Sequence, residues 1–235
     1  MQLAGKTIIV TGGSDGIGRH ICLKLAAQKC NVAIIGRDSA RLDAVAAEAR
    51  AAGAPAAHGF VCDLRETDNI AKTLADITEQ FGVVDVLINN AGIWHKTGPL
   101  DLIDSQLIDD TVATNLSGAI HLTRAVLPGL RGRPEAAILN VVSKSGVLAQ
   151  AGQSVYTATK YGMRGFTDVL KLDEAESGVR VAGLYQSGTN TAMFAKANEE
   201  VPNHIFTEPD DLADVVVFML SRPAKLWMHD VRIEL

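Results

Sequence analysis

Tyr156 and Lys160 are four residues apart, a spacing that puts both side chains on one helix face with Cβ atoms roughly 5–6 Å apart. A phenol alone titrates near ~10, too high for ready proton transfer at neutral pH. An ammonium at roughly 4 Å, at an effective dielectric of about 20, attracts a phenolate by on the order of 4 kcal/mol. With ~1.4 kcal/mol per pKa unit, the pair alone draws the phenol toward neutrality before burial is counted. Such a tyrosine suits general acid/base work. Ser143 precedes it by thirteen residues and offers a hydroxyl that can hold a substrate oxygen. Ser145 is its rival, two residues on.

A second constellation lies near the start of the chain. Lys6-Thr7-Ile8-Ile9-Val10 is a β-branched run that reads as a buried parallel strand. It leads into Thr11-Gly12-Gly13-Ser14-Asp15-Gly16-Ile17-Gly18, after which Ile17, Ile21 and Leu25 keep helical spacing. Strand, glycine turn and helix N-terminus together make a dinucleotide site. The glycines let the backbone approach a pyrophosphate, and the free N–H groups and helix dipole favour its charge.

Around these motifs, apolar runs alternate with helical stretches. The runs fall at Thr7–Val10, Val32–Ile35, Gly59–Cys62, Val84–Ile88, Ala137–Val142, Val179–Leu184 and Val231–Leu235. Such alternation predicts an α/β fold: a Rossmann-like, doubly wound parallel sheet of about seven strands with helices on both faces. Long helices are expected near Leu107–Leu130 and Val155–Ala175, and the alanine-rich stretch 44–57 reads as a helix ending near Gly53. In such sheets ligands gather at the carboxyl ends of the strands, where Gly12, Asn89 and Ser143 all fall.

Taken in order, these motifs resemble the short-chain dehydrogenase/reductases, in their single-domain, NADP-preferring form. Thr11-Gly12-x-x-x-Gly16-x-Gly18 is similar to that family's cofactor fingerprint, and Asn89-Asn90-Ala91-Gly92 to its second hallmark. Asn115 matches the helix asparagine that organises a proton-relay water, and Ser143, Tyr156 and Lys160 match the remaining catalytic positions. The resemblance implies hydride transfer between a nicotinamide and a carbonyl or secondary alcohol. Tyr156 would exchange the proton, Ser143 hold the oxygen, and Lys160 tune the tyrosine and bind the nicotinamide ribose. It also implies cofactor contacts from Asp63 and Leu64, from Asn90, Ala91 and Gly92, and from Thr189 and Thr191. Asp63 is expected to accept from the adenine amino group or to serve as a helix cap or turn residue.

Cofactor choice rests on the end of the second strand. Gly36 stands where an acidic residue would hold the ribose hydroxyls of NAD, and Arg37 and Arg41 follow. Guanidinium groups grip a phosphate with paired charged hydrogen bonds. Asp15 and Asp38 argue the other way. The balance favours NADP(H), with NAD(H) the alternative.

The chain departs from the family pattern at Gln186-Ser187, which occupy the place of Pro-Gly after the sixth strand. Their substitution frees a backbone angle and removes easy positive φ, so the loop is expected to be more mobile or re-aimed. A short substrate loop is expected around 186–208. Met193, with Trp94 and His95 after the second hallmark, is assigned to the substrate cleft beside Ser143 and Tyr156. Alternative readings are a cofactor-binding sensor or scaffold with little turnover, and a reductase of carrier-tethered 3-oxoacyl chains. The latter needs a basic docking patch, for which Arg124, Arg131 and Arg133 are the candidates.

The 235 residues, 47% of them hydrophobic, suggest one domain over 1–235 with a substantial core. A net charge of −5 offers no surface for nucleic acid. No apolar run reaches the ~18 residues of a membrane span, and no signal peptide is evident. Three cysteines without metal-ligand spacing read as free thiols in a cytoplasmic protein. Metal is not expected. The partners expected are a small carbonyl or alcohol substrate and a second copy or more of the chain, as a homodimer or homotetramer.

Overall fold

The computed structural model describes residues 1–234. Its strands are β1 (Thr7–Thr11), β2 (Asn31–Gly36), β3 (Ala57–Val61), β4 (Val86–Asn89), β5 (Ala136–Val141), β6 (Val179–Gln186) and β7 (Asp230–Ile233). They form one sheet in the order β3-β2-β1-β4-β5-β6-β7, with every pairing parallel. β1, β4 and β5 are buried along their whole length, as continuous apolar runs in a covered parallel sheet should be.

The helices are α1 (Gly16–Ala27), α2 (Ser39–Ala52), α3 (Thr67–Phe81), α4 (Ser105–Val112), α5 (Gly118–Leu130), α6 (Ser154–Asp173), α7 (Met193–Lys196) and α8 (Pro209–Ser221). Alternate strand residues point to opposite faces, and two cores result. Ile8, Val10, Val32 and Ile34 pack under Ile21 and Leu25 of α1, Leu42 and Val45 of α2, and Val216 of α8. Ile9, Ala33, Leu87 and Ile138 pack under Ile70 and Ile77 of α3, Leu122 and Val126 of α5, and Leu170 of α6.

Three details differ from the sequence reading. The third strand begins two residues earlier than expected, because His58 and Gly59 break the apolar run yet still pair with Ala33 and Ile34. The long helix expected over Leu107–Leu130 is interrupted by a π-helical turn at Ala113–Ser117. The last strand starts at Asp230, and Leu235, read as its end, lies outside the described residues.

β1 sits between β2 and β4, so the strand order reverses there and a crevice opens at the carboxyl ends of the strands. A buried polar chain fixes what surrounds it. Asn89 Nδ2 donates to Thr123 Oγ1 and to Asn140 Oδ1, each at 2.9 Å, and Asn140 Nδ2 donates to Thr167 Oγ1 at 2.8 Å. One set of side-chain bonds thus joins β4, β5, α5 and α6.

Candidate active site

The crevice is a cleft of about 680 Å³. Gly12, Ser14, Asp15, Gly16 and Ile17 line one end. Gly12 has φ +63°, and a Cβ there would stand 2.9 Å from Ala91 Cα. Gly18 lies just beneath, where a Cβ would meet the Gly12 carbonyl oxygen at 2.3 Å. Only glycine permits this packing, which brings the α1 N-terminus up to the cleft. Thr11 Oγ1 accepts from Asn90 N at 2.9 Å and Ala91 N at 3.0 Å, and Asn90 Nδ2 donates to the Thr11 carbonyl. The second hallmark therefore clamps the end of β4 onto the glycine turn.

At the end of β2, a Cβ on Gly36 would press within 3.2 Å of both Leu42 Cδ2 and Ser14 Oγ, so a side chain there is disfavoured. Arg37 lines the cleft, whereas Arg41 does not. Arg41 is instead turned toward two carboxylates, 3.5 Å from Asp15 and 3.5 Å from Asp38. Asp63 and Leu64 line the wall, but the Asp63 carboxylate accepts a two-pronged pair from Arg65, and Arg65 also bridges to Asp110. The Arg65 hydrogen bonds hold Asp63 below the usual carboxylate range. It is a turn residue; the cap position of α3 is Glu66.

Ser143, Tyr156 and Lys160 meet at the middle of the cleft. β5 ends at Val141, and Ser143 then takes φ 139° and ψ 157°, a region costing on the order of 1–3 kcal/mol for a residue with a Cβ. Strain of this kind collects at sites that need a side chain aimed against its backbone preference. The Ser143 hydroxyl accepts from the Ser145 N–H at 3.1 Å and lies near enough to the Tyr156 phenol to pull its pKa down. The rival, Ser145, instead donates to Gln153 Oε1 at 3.2 Å, since the strand has already ended. Gly146 is required next, because a Cβ would stand 2.8 Å from the Lys160 carbonyl oxygen.

The electrostatics correct the simple pair argument. Lys160 and Tyr156 are both buried, and the Lys160 Nζ lies 5.5 Å from the phenol ring centroid, donating to the Val141 carbonyl at 3.3 Å. Burial pushes the phenol up to about 12, against a smaller opposing pull from the nearby Ser143 hydroxyl. Burial likewise brings the Lys160 ammonium down to about 8. Loss of water penalises both charges more than either stabilises the other, so the phenol stays protonated at neutral pH.

Two further residues assigned to the site do not line the cleft. Asn115, in the π-helical turn, uses its amide on the backbone of Ile93, accepting from its N–H at 2.7 Å and donating to its carbonyl at 2.9 Å. His95 is buried behind the cleft wall, with its ring nitrogens facing the Lys96 carbonyl and the Tyr156 N–H.

At the other end, Thr189, Thr191 and Met193 line the cleft as expected, and so does Trp94. Trp94 meets the Tyr156 ring edge-on at 4.5 Å and the Phe194 ring at 5.3 Å, and Phe194 continues to Phe206 at 5.5 Å. This aromatic row, with Glu199, Gln150 and Gln153 beside it, was not evident from spacing, because its members come from four separate segments. Glu199 accepts from Trp94 Nε1 and from Thr97 N, tying the segment after α7 to the loop after β4. Lys196 of α7 reaches Asp15 at 2.7 Å. The Gln186-Ser187 loop is not loosened. Gln186 remains in β6, paired with Ile233, and Ser187 N donates to the Ile233 carbonyl at 2.9 Å. Gln186 lines the cleft and is buried, with Oε1 unpartnered. Among the described residues, no group of three or more His, Cys, Asp or Glu side chains gathers as a metal site, and no helix is long and apolar enough to cross a membrane.

A sheet with this strand order, a glycine turn at its switch point and a Ser-Tyr-Lys group over the crevice define a dinucleotide-dependent oxidoreductase class. The short chain dehydrogenase family model matches residues 6–202. The D-beta-hydroxybutyrate dehydrogenase of Cupriavidus necator is 33% identical, over 95% of this chain and 94% of that one. A 3-oxoacyl-(acyl-carrier-protein) reductase of Staphylococcus epidermidis is 34% identical, over 94% of this chain and 93% of its own. A metagenomic short-chain oxidoreductase solved with NADP superposes with a TM-score of 0.86 at 31% identity, covering 100% of both chains. The chain belongs to the short-chain dehydrogenase family.

Proposed function

We propose that this protein is an NADP(H)-preferring carbonyl reductase or alcohol dehydrogenase for a small or medium organic substrate. The observation that carries the reading is the meeting of Ser143, Tyr156 and Lys160 in a cleft whose other end is a glycine turn at a helix N-terminus. The residues fit a dinucleotide: the glycine cradle leaves no room for a Cβ, and Gln186 presents a buried amide with an unpartnered oxygen at the opposite wall. When bound, the reduced nicotinamide supplies a hydride to the carbonyl carbon. As charge develops on the carbonyl oxygen, Tyr156 donates its phenolic proton and Ser143 holds the oxygen by a hydrogen bond. Lys160 stabilises the phenolate left behind and is expected to bind the ribose, while Asn115 holds the Ile93 backbone that forms part of the wall. A phenol pushed up to about 12 is protonated at neutral pH and so holds the proton that reduction requires, and the same machinery runs in reverse according to pH and the cofactor ratio.

NADP(H) is favoured over NAD(H) because Arg37 stands at the cleft wall directly after Gly36. The opposing charge of Asp15 is offset, chiefly by its hydrogen bond from Lys196 and further by the nearby Arg41. The carrier-tethered substrate is the less favoured second reading. Relatives include such a reductase, yet Arg131 is paired with Glu174 and Arg133 with Asp85, which weakens the basic docking patch. The anchored Gln186-Ser187 loop likewise weakens the sensor reading. Residues 1–235 are read as one domain, with 186–208 as the substrate segment. Exposed Tyr161, Val169 and Leu172 on α6 support association into a homodimer or homotetramer, which sedimentation velocity at micromolar concentration tests. The function is tested by following NADPH and NADH oxidation over a panel of aldehydes, ketones and diketones. The reading expects NADPH-preferring turnover, and no turnover with any member of the panel counts against it.

A further inference from the structure

His95 is buried to 1% exposure, yet it neither lines the cleft nor joins an ion pair. Its two ring nitrogens have partners of opposite kind. Nδ1 lies 3.0 Å from the Lys96 carbonyl oxygen, which can only accept. Nε2 lies 3.2 Å from the backbone nitrogen of Tyr156, which can only donate. The ring must therefore carry its proton on Nδ1 and offer a lone pair at Nε2, in the neutral form.

That lone pair fills a gap in α6. The first N–H groups of a helix have no partner within it and are ordinarily taken by a capping side chain. Gln153, at the cap position of α6, makes no side-chain bond of this kind. His95 takes the place of that cap from 61 residues away in the chain, and it does so at Tyr156 itself. The surroundings make the contact a joint. Trp94 stacks on the His95 ring at 5.8 Å and meets the Tyr156 ring edge-on at 4.5 Å, while Gly98 N donates to the Gly152 carbonyl at 3.0 Å just before the helix.

We propose that His95 is a positioning residue for the proton donor: by accepting from the Tyr156 N–H it fixes the first turn of α6 against the loop after β4, and so sets where the phenol sits relative to Ser143. The inference rests on the tyrosine-based reading above. A positioning contact next to the reacting group matters because a misplacement of about 1 Å can lower the rate on the order of 10²-fold.

The test compares His95→Leu, which removes the acceptor, with His95→Gln, which keeps a neutral acceptor at similar reach. For each, kcat and KM are measured with NADPH and a carbonyl substrate, together with NADPH affinity by fluorescence titration. Hydrogen exchange is followed in the peptide containing Ser154–Ala158. The expected result for His95→Leu is a kcat lowered roughly 10- to 100-fold, NADPH affinity within about threefold, and faster exchange at the start of α6; His95→Gln should restore most of both. Equal impairment of the two variants, or unchanged kcat and exchange in His95→Leu, overturns the proposal. If His95→Leu does not fold, His95→Gln alone decides: near wild-type kcat and exchange support it, and a loss of tenfold or more sinks it. Turnover that survives Tyr156→Phe would fault the catalytic reading instead. The exchange measurement judges the His95 contact independently of turnover.

Discussion

At the glycine end of the cleft, Gly12 and Gly18 fit backbone against backbone, with no room for a single added carbon. At the lid end, Lys196 and Glu199 hold α7 and its following turn through side chains reaching Asp15, Trp94 and Thr97. Lys196 and Asp15 are 57% and 42% exposed, so water screens that pair heavily. One end is fixed by sterics and the other by adjustable contacts. A cleft built this way binds an invariant ligand part at its rigid end and leaves the variable part to a segment that can shift. The middle, with Ser143, Tyr156 and Lys160, belongs with the rigid end: strained backbone at Ser143, burial of Tyr156 and Lys160, and a buried polar chain hold it in place.

Substitutions can break this contrast. The largest effect is expected from Gly18→Ala, whose Cβ would stand 2.3 Å from the Gly12 carbonyl oxygen and 2.6 Å from Asn90 Nδ2. NADPH binding should be lost by fluorescence titration, and overpacking should cost roughly 1–3 kcal/mol in chemical denaturation. Retained affinity would show that the turn is not the phosphate site.

Lys160→Met separates activity from stability. Turnover should fall by about 10²- to 10⁴-fold, as expected for disabling acid/base catalysis. Stability should move the other way. Burial brings the ammonium from 10.5 to about 8 in the folded protein, so between those values the unfolded chain binds more protons and wild-type stability rises with pH. At pH 7 the buried charge destabilises the wild type by on the order of 3 kcal/mol. The variant should therefore melt several degrees higher at pH 7, with the gap closing above about pH 10.5. An equal or lower melting temperature at pH 7 would contradict the burial argument.

A smaller and more selective effect is expected from Arg37→Ser. Removing a charged hydrogen-bond donor costs about 1.5–3 kcal/mol, so NADPH affinity should fall roughly 10- to 150-fold while NADH affinity stays within about threefold. Equal losses for both cofactors would remove Arg37 from the phosphate reading. Lys196→Met should do least, a few-fold change in cofactor release by stopped flow, in keeping with exposed pairs worth ~0–1 kcal/mol. A hundredfold effect there would show that the lid end is as rigid as the glycine end.

The same contrast explains what was legible in the sequence. The glycine turn and the Tyr156–Lys160 pair announce themselves through local spacing within one strand–turn–helix and one helix, whereas Asn90 and Ser143 were legible through the resemblance of their motifs to the family's. The seven strands were readable because each is a short apolar run, with boundaries missed where His58, Gly59 or Asp230 interrupt the pattern. Residues that depend on distant partners gave no such signal. Arg41 read as a phosphate ligand until the fold put Asp15 beside it. Asp63 read as an adenine contact or as a cap or turn residue; it takes the turn role, and the Arg65 that occupies its carboxylate also reaches Asp110 on α4. His95 read as a substrate contact, though its partner lies on α6. The tyrosine's acidity was also misjudged, because spacing shows the neighbouring ammonium and not the depth of burial that outweighs it.

The most direct measurement is Tyr156→Phe assayed for NADPH affinity and for carbonyl reduction in parallel. Removing one hydroxyl leaves the ring against Trp94 and the cleft shape unchanged. The account predicts NADPH affinity within about threefold of wild type and turnover reduced by about 10²- to 10⁴-fold. Turnover within tenfold of wild type would contradict it, and would mean that another group in the cleft delivers the proton.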